Sequence, residues 1–244
     1  MAIYTGTADV NGDFRVPFSA NYTSGQKVTV TSEKSGVTKS IELFAPSEVI
    51  SEGSEWISFT ISAAGYPTKI KMSVPEGGAP NTIPASAFYA QSGNIFSKAK
   101  SLNIPNNITN IADSAFRAWG LATSLIIPDS VTNLGELSFQ NWTSATSLII
   151  GNGVTSIKSG CFESWTSATS LIIGSEVAEI YDWAFFAWSS LLEMNVLRAT
   201  PPSITPNTFS GLKSTCVIKV PAASLDAYKT AASWSAHASK MVGV

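Results

Sequence analysis

Few residues of this chain have types and spacings that could do covalent chemistry. His237 is the only histidine, so a Ser-His-Asp or Cys-His arrangement would depend on one residue near the C-terminus, and a site of several histidines around a metal is excluded. The acidic residues in the middle of the chain drift between repeat positions and form no matched acid and base pair; they are Asp113, Glu136, Glu163 and Asp182. The sequence therefore predicts no catalytic residues and no cofactor.

One short acidic run has some of the spacing of a calcium-binding loop. It extends from Asp9 to Asp13 as Asp-Val-Asn-Gly-Asp. Phe14 stands where such a loop needs glycine, and Ala20 stands where it needs a bidentate glutamate. We interpret the run as a hairpin turn and predict no metal site.

The aromatic residues offer a different chemistry, because tryptophan rings either stack on sugars or pack in a core. Four tryptophans recur every 23 residues, and a phenylalanine stands three residues before each one. The i, i+3 spacing favours a short helical or 3₁₀ turn that carries both rings inward. We predict a core ladder, with an exposed sugar-stacking row as the alternative, for Trp119, Trp142, Trp165, Trp188, Phe116, Phe139, Phe162 and Phe185.

The neighbourhood of each tryptophan recurs as well. Four copies occupy residues 101–123, 124–146, 147–169 and 170–192, and a degenerate fifth copy occupies 193–215. A fixed period of this length is typical of leucine-rich-repeat solenoids, in which each coil needs neighbours to bury its apolar face. The sequence therefore predicts a solenoid of 23-residue coils.

Each copy contains two apolar pairs that would form opposite walls of a coil. The first pair alternates along a short strand, and we expect five such strands to stack in one parallel sheet; the pairs are Leu102/Ile104, Leu125/Ile127, Leu148/Ile150, Leu171/Ile173 and Met194/Val196. The second pair follows a turn and forms the other wall; it is Ile108/Ile111, Val131/Leu134, Val154/Ile157 and Val177/Ile180.

The residues between the inward pairs point outward and form two columns on the predicted sheet. We take them as a candidate binding face, with plain β-propensity as the alternative explanation. One column is Ser101, Ser124, Ser147 and Ser170, and the other is Asn103, Ile126, Ile149, Ile172 and Asn195.

The two cysteines are predicted to be free thiols. Cys161 occupies the small position that Ala115, Ser138 and Ala184 occupy in other copies. A disulfide to Cys216 would have to cross more than two coils of about 4.8 Å each, whereas Cα atoms more than about 7 Å apart cannot be bridged.

Strands such as SLIIP and SLIIG, followed by a Val-Thr-x-Ile type segment and then Ala-Phe, resemble the BspA-like leucine-rich repeats. The resemblance covers roughly residues 56–244. It implies a leucine-rich-repeat domain with an N-terminal cap and irregular coil at 56–100, repeats at 101–215 and a strand-plus-helix cap at 216–244. Because these repeats are best known from bacterial surface adhesins, it also implies a binding role.

Residues 1–46 differ in kind. Segments such as QKVTVTSEK alternate polar and apolar residues between Gly-containing turns, which predicts three or four antiparallel strands. The pattern resembles the second half of the Ig-like repeats in large bacterial biofilm adhesins. We therefore predict a mainly β chain, with a small antiparallel attachment module at 1–46, a linker at 47–55 and the solenoid at 56–244.

Charge and hydropathy argue against two classes of partner, nucleic acids and the membrane interior. A net charge of −2 without a basic stripe argues against nucleic acid. No apolar run of about 18 residues is present, so we predict no membrane insertion. The first residues show no basic segment followed by an apolar one, which is not typical of a secretion signal.

Those first residues favour a protein that is released by lysis rather than exported. We therefore expect a non-enzymatic phage or prophage tail component, located in the virion tail. Residues 1–46 would bind other tail proteins, and the array would bind a host surface receptor, either glycan or protein. A homotrimer is the candidate oligomeric state. The alternatives are a BspA-like adhesin on the bacterial cell surface and a structural virion decoration protein.

Overall fold

The computed structural model describes residues 27–34, 37–44, 57–61, 69–72, 81–91 and 95–244. The predicted turn at residues 9–13 and the predicted linker at 47–55 lie outside the described residues. The described strands are β1 (Lys27–Lys34), β2 (Val37–Phe44), β3 (Ile57–Ile61), β4 (Lys69–Met72), β5 (Thr82–Ile83), β6 (Ala99–Asn103), β7 (Asn110–Ile111), β8 (Ser124–Ile127), β9 (Asn133–Leu134), β10 (Ser147–Ile150), β11 (Ser156–Ile157), β12 (Ser170–Ile173), β13 (Glu179–Ile180), β14 (Glu193–Val196), β15 (Ser203–Ile204), β16 (Val217–Val220) and β17 (Met241–Gly243).

Helical structure is sparse in the described part of the chain. One α-helix, α1, spans Leu225–Thr230, and 3₁₀ helices span Ile95–Lys98, Ala222–Ser224 and Trp234–Lys240. A mainly β fold with few helices is what the repeat pattern predicts.

Two parallel sheets form the walls of the solenoid. The first sheet has the order β17-β16-β14-β12-β10-β8, and the second sheet has the order β15-β13-β11-β9-β7-β5. In the first sheet Ser147 pairs with Ser124 on one side and with Ser170 on the other, so equivalent residues of successive copies lie side by side. The predicted solenoid of 23-residue coils is confirmed.

The expectation of five strands in one parallel sheet is wrong for the first copy. Its strand, β6, pairs antiparallel with β3, which pairs antiparallel with β4. The copy that contains β6 stands at the end of the regular array, so no identical strand precedes it. Antiparallel strands cover that edge instead, and a covered edge cannot add a strand from another chain.

The Phe and Trp rings lie in the interior as two stacked columns. All eight rings of the predicted ladder are fully buried. Successive Trp rings have centroids 5.4–5.7 Å apart and planes within 6° of parallel. Each Phe meets the Trp of its own copy edge to face, at centroid distances of 5.3–5.7 Å. Both geometries are favourable for aromatic quadrupoles.

Each buried indole also makes a hydrogen bond to the backbone of the preceding coil. The Nε1–H groups of Trp142, Trp165 and Trp188 donate to the carbonyl oxygens of the Phe residues 26 positions earlier, at 2.7–2.8 Å. The Trp119 group donates to the Phe88 carbonyl at 2.6 Å. These bonds remove the penalty of burying an unpaired N–H, so the ring column joins adjacent coils by both packing and hydrogen bonding.

Other aromatic residues extend both ring columns at the N-terminal end and the Phe column at the C-terminal end. Phe96 stacks on Trp119 with centroids 6.0 Å apart, and Phe88 stacks on Phe116 at 5.3 Å. At the other end Phe209 follows Phe185 at 5.5 Å. The C-terminal segment then covers Phe209 with the buried ring of Trp234, whose centroid lies 5.5 Å away.

The C-terminal cap differs in detail from its prediction. The helix of the predicted strand-plus-helix cap is α1, which ends at Thr230. The chain then forms a 3₁₀ helix over Trp234–Lys240, and β17 adds a further strand to the first sheet. Tyr228 and Trp234 are fully buried and Leu225 is partly buried, so the cap covers the last coil as expected.

Two positions in each of the four regular coils hold the backbone in the left-handed region, and the flanking coils each have one of them. The first has φ of 56–60° at Ser86, Ser114, Leu137, Gly160 and Trp183, and the second has φ of 63–81° at Ala118, Asn141, Ser164, Ala187 and Gly211. A non-glycine residue in this conformation costs about 1–2 kcal/mol. The tight turns around the aromatic rings therefore impose a repeated backbone strain.

The ring ladder predicts a large cost for removing one ring. Trp142→Ala deletes a side chain that is fully buried between two parallel indoles, and it should lower the free energy of unfolding by about 3–5 kcal/mol. Denaturant titration followed by circular dichroism measures this change. The exposed Thr143→Ala is the matched control and should change stability by less than about 1 kcal/mol. A Trp142→Ala protein as stable as the control would contradict the structural role of the ladder.

Candidate binding surface

The outer face of the first sheet carries the two predicted columns. Ile126 is 61% exposed and Ile149 is 39% exposed, while Ile172 is partly buried. The strand register places these three residues in one row across β8, β10 and β12, which we call the isoleucine column. Ser124 and Ser170 are exposed and Ser147 is partly buried in the neighbouring row. The columns form a continuous surface of apolar and hydroxyl side chains.

The two asparagines of the predicted face have different surroundings. Asn195 pairs with Ile172 in the first sheet and continues the column, although it is partly buried. Asn103 is exposed but lies at the end of β6 and pairs with Ser58 of β3. Asn103 therefore belongs to the antiparallel cap sheet and is not paired in register with Ile126.

A column of threonines borders the serine column. The Thr146 hydroxyl donates to the Thr123 carbonyl at 3.1 Å, and the Thr169 hydroxyl donates to the Thr146 carbonyl at 3.2 Å. Thr123 bonds to the Lys100 carbonyl in the same way at 3.4 Å. Each exposed side chain is thereby fixed to the coil before it. A partner would meet this border without having to order flexible side chains.

The C-terminal end of the same face is charged. Glu193 continues the serine column and Lys219 continues the column of Asn195. Their side chains form an ion pair at 2.6 Å, with both groups partly solvated. A surface pair of this kind contributes little to stability. It makes one end of the face polar, whereas the end formed by β8, β10 and β12 is apolar.

Three of the acidic residues named in the sequence analysis accept hydrogen bonds from an adjacent coil. The Asp113 carboxylate accepts a hydrogen bond from the Glu136 backbone N–H at 2.8 Å. The Glu163 carboxylate accepts one from the Gln140 amide at 2.8 Å, and Asp182 accepts one from the Thr205 hydroxyl. Each bond joins residues 23 positions apart, so these carboxylates have a structural use. Among the described residues no group of three or more His, Cys, Asp or Glu side chains could hold a metal ion.

The groups whose pKa is clearly shifted lie in the interior or in the C-terminal segment. Burial raises the pKa of the Cys161 thiol to about 12 and that of the Cys216 thiol to about 11. Both cysteines are buried and free, as predicted. Burial also lowers the pKa of His237, which favours its neutral form. None of the described helices has the length and apolarity needed to cross a membrane.

A second exposed surface was missed in the sequence. Tyr181, Trp183 and Phe186 are 38%, 52% and 36% exposed, and we call these three residues the aromatic patch. Backbone hydrogen bonds from Ala184 to Tyr181 and from Phe186 to Trp183 close two overlapping turns around them. Comparing copies would have shown the signal, because the position of Trp183 is occupied by Ser114, Leu137 and Gly160 in the other three copies.

One comparison with known proteins, a match to a family model, agrees with the repeat architecture. A family model described as "BspA type Leucine rich repeat region" matches residues 81–223 in six copies. The crystal structure of a leucine rich cell surface protein from Faecalibacterium prausnitzii A2-165 has 22% sequence identity and a TM-score of 0.46. That match covers 58% of this chain and 35% of the other, so the chain spans about a third of the length of that protein. No curated protein matches the chain.

The burial of both thiols predicts low reactivity. The thiolate is the reactive form, and a pKa of about 11 or 12 leaves almost none of it at pH 8. The native protein should therefore react with 5,5′-dithiobis(2-nitrobenzoate) at pH 8 only after denaturant is added, and then with two equivalents of thiol. In Cys161→Ala, which copies Ala115 and Ala184, the denatured protein should release one equivalent. Rapid labelling of the native protein would show that the coils open.

Proposed function

The chain belongs to the BspA-type leucine-rich repeat family, and we propose that it is a non-enzymatic binding protein whose first sheet contacts a protein receptor on a cell surface. The observation that carries this proposal is the isoleucine column. Ile126 and Ile149 remain exposed in the middle of an ordered sheet, although every inward residue of the same strands is buried. Leaving them in water forgoes burial worth about 25 cal/mol per Å² of apolar surface.

The chemistry of the face fits a protein better than a glycan. Sugars are bound by aromatic rings and convergent polar groups, whereas the central row of this face is aliphatic between β8 and β12. A row of isoleucines bordered by serine and threonine hydroxyls has the apolar centre and polar rim of a protein interface. The ion pair of Glu193 and Lys219 would lie at the edge of the contact and limit which partners fit.

We further propose that this chain is located at the bacterial cell surface. This location follows the adhesins for which BspA-type repeats are best known. The expectation of a virion tail component, with residues 1–46 attached to other tail proteins and a possible trimer, stays a prediction without support from any described residue. The described hairpin of β1 and β2 is antiparallel, and neither the Ig-like resemblance nor the attachment role is tested by it.

The location can be measured directly. Peptide mass spectrometry of the washed cell envelope and of purified phage particles from the source culture should detect this chain in the envelope. Brief protease treatment of intact cells should remove it, because the proposal places the array outside the cell. Enrichment of its peptides in the particles would contradict the proposal and support the tail component.

The binding face can be tested by one added charge. Ile149→Lys places an ammonium group in the centre of the isoleucine column and should lower binding of the purified full chain to intact cells at least about tenfold, because an apolar contact would have to desolvate the charge. Flow cytometry on a panel of bacterial and epithelial cells measures binding. Asn133→Lys, at an exposed position of β9 in the second sheet, is the control.

Both variants should unfold at the same temperature as the wild type, because neither residue is buried. Protease treatment of the target cells should abolish wild-type binding if the receptor is a protein. Equal binding by Ile149→Lys and wild type would exclude the first sheet as the contact face.

A further inference from the structure

We propose that the aromatic patch of Tyr181, Trp183 and Phe186, together with the groove beside Tyr181, is a saccharide-binding site. It lies in the turn segment of the fourth copy and in the second sheet, apart from the isoleucine column. It is therefore a second site, for a different class of ligand, and does not depend on the proposed receptor contact.

Trp183 occupies a position where its side chain opposes stability. Its φ is 56°, in the left-handed region, and the equivalent residue of the preceding copy is Gly160, with φ of 60°. Glycine adopts this conformation without strain, whereas a bulky residue does not. The ring does not recover the cost by burial, since it is 52% exposed. The turn requires this φ in every regular copy, but it does not require an exposed tryptophan there, and that choice of residue is what stability does not explain.

The indole of Trp183 also differs from the other described indoles in its hydrogen bonding. Those of the ladder donate to backbone carbonyls, and the Trp234 group donates to the Pro202 carbonyl at 2.7 Å. The Nε1–H of Trp183 makes no hydrogen bond within the described residues. An exposed ring with a free donor can stack on a ligand and bind an oxygen of it at the same time.

Tyr181 is held in place by its neighbours. The Lys158 ammonium lies 4.5 Å from the centroid of its ring, and its hydroxyl donates to the Glu179 carboxylate at 3.0 Å. A cation over the ring face and a hydrogen bond at the ring edge restrict both of its side-chain torsions. The binding of a ligand that stacks on this ring therefore loses little free energy in ordering the side chain.

A groove of about 160 Å³ runs beside Tyr181, between the fourth and fifth copies. Its lining combines polar and apolar residues, which are Glu179, Ile180, Tyr181, Ser203, Ile204 and Thr205. The Thr205 hydroxyl bonds to Asp182, and its backbone N–H bonds to the Thr208 hydroxyl at 3.0 Å, which fixes that wall. Sites for drug-sized ligands have roughly 300–1,000 Å³. This groove therefore suits one ring-sized unit of a longer chain that continues over the exposed patch.

Among the ligands that bind to aromatic rings, a saccharide best fits this combination of exposed rings, hydroxyl groups and a carboxylate. One face of a pyranose carries C–H groups that pack on aromatic rings, and its hydroxyls donate to carboxylates and exchange hydrogen bonds with Ser and Thr. Nucleic acid also stacks on rings, but its phosphates would be repelled by Glu179 and Asp182. A protein could use the same rings as anchors, and the groove also contains Ile180 and Ile204; loss of cell binding without any saccharide binding would identify that class of partner.

The test uses two glycine variants at the same position of different copies. Trp183→Gly removes the ring and relieves the strained φ, so the melting temperature should stay the same or rise. Leu137→Gly makes the same backbone change two copies away and serves as the control. The probes are free mono- to hexasaccharides of glucose, galactose, mannose and their N-acetylated amino sugars, titrated calorimetrically into the full chain.

At least one of these saccharides should bind the wild type, and Trp183→Gly should weaken that binding at least about tenfold. Leu137→Gly should bind as the wild type does, and so should Ile149→Lys, which separates this site from the receptor face. The assignment is overturned if none of the probes binds, or if Trp183→Gly binds as tightly as the control. It is also overturned if Trp183→Gly loses binding to cells while no saccharide binds the wild type, because the patch would then be a protein contact.

Discussion

The stacking of each side chain on its equivalent in the next coil is the interaction on which the rest of the structure depends. Parallel indoles with centroids 5.4–5.7 Å apart, and the bonds from Trp Nε1–H groups to Phe carbonyls, join each coil to the one before it in the register of the β-ladders. Because the rings fill the interior, the coil backbone turns tightly around them and accepts two left-handed residues in each copy. The regular outer columns of Ser, Thr and Ile are a consequence of that register.

A regular array of this kind separates stability from binding. The side chains that hold the coils together lie inside, so outward positions vary between copies without unfolding the chain. Two of these surfaces depart from what stability alone favours. On the first sheet, isoleucines remain in water at Ile126 and Ile149, and in the fourth copy a tryptophan replaces a residue that is glycine one coil earlier. An aliphatic face and an aromatic groove suit different partners.

The sequence predicted what the 23-residue period determines and missed what happens where the period ends. The inward pairs and the eight rings could be placed because each copy supports the assignment of the others. The antiparallel pairing of β6 and the addition of β17 depend on single segments that have no copies, so pattern comparison gave no signal for them. Phe96 stands 23 residues before Trp119 and closes its column, but a change of residue type hid it. Trp183 was missed because a repeat is defined by the residues that its copies share, whereas Trp183 stands at a position where the copies differ.

Site-specific photocrosslinking tests most directly whether the first sheet is the face that contacts a cell-surface protein. The crosslinker p-benzoylphenylalanine would replace Ile126 in one protein and Asn133, on the second sheet, in another, and each would be irradiated on intact cells. We expect a discrete protein adduct from position 126 and none from position 133. Adducts from position 133 alone, or from neither position while the protein remains bound to the cells, would contradict it.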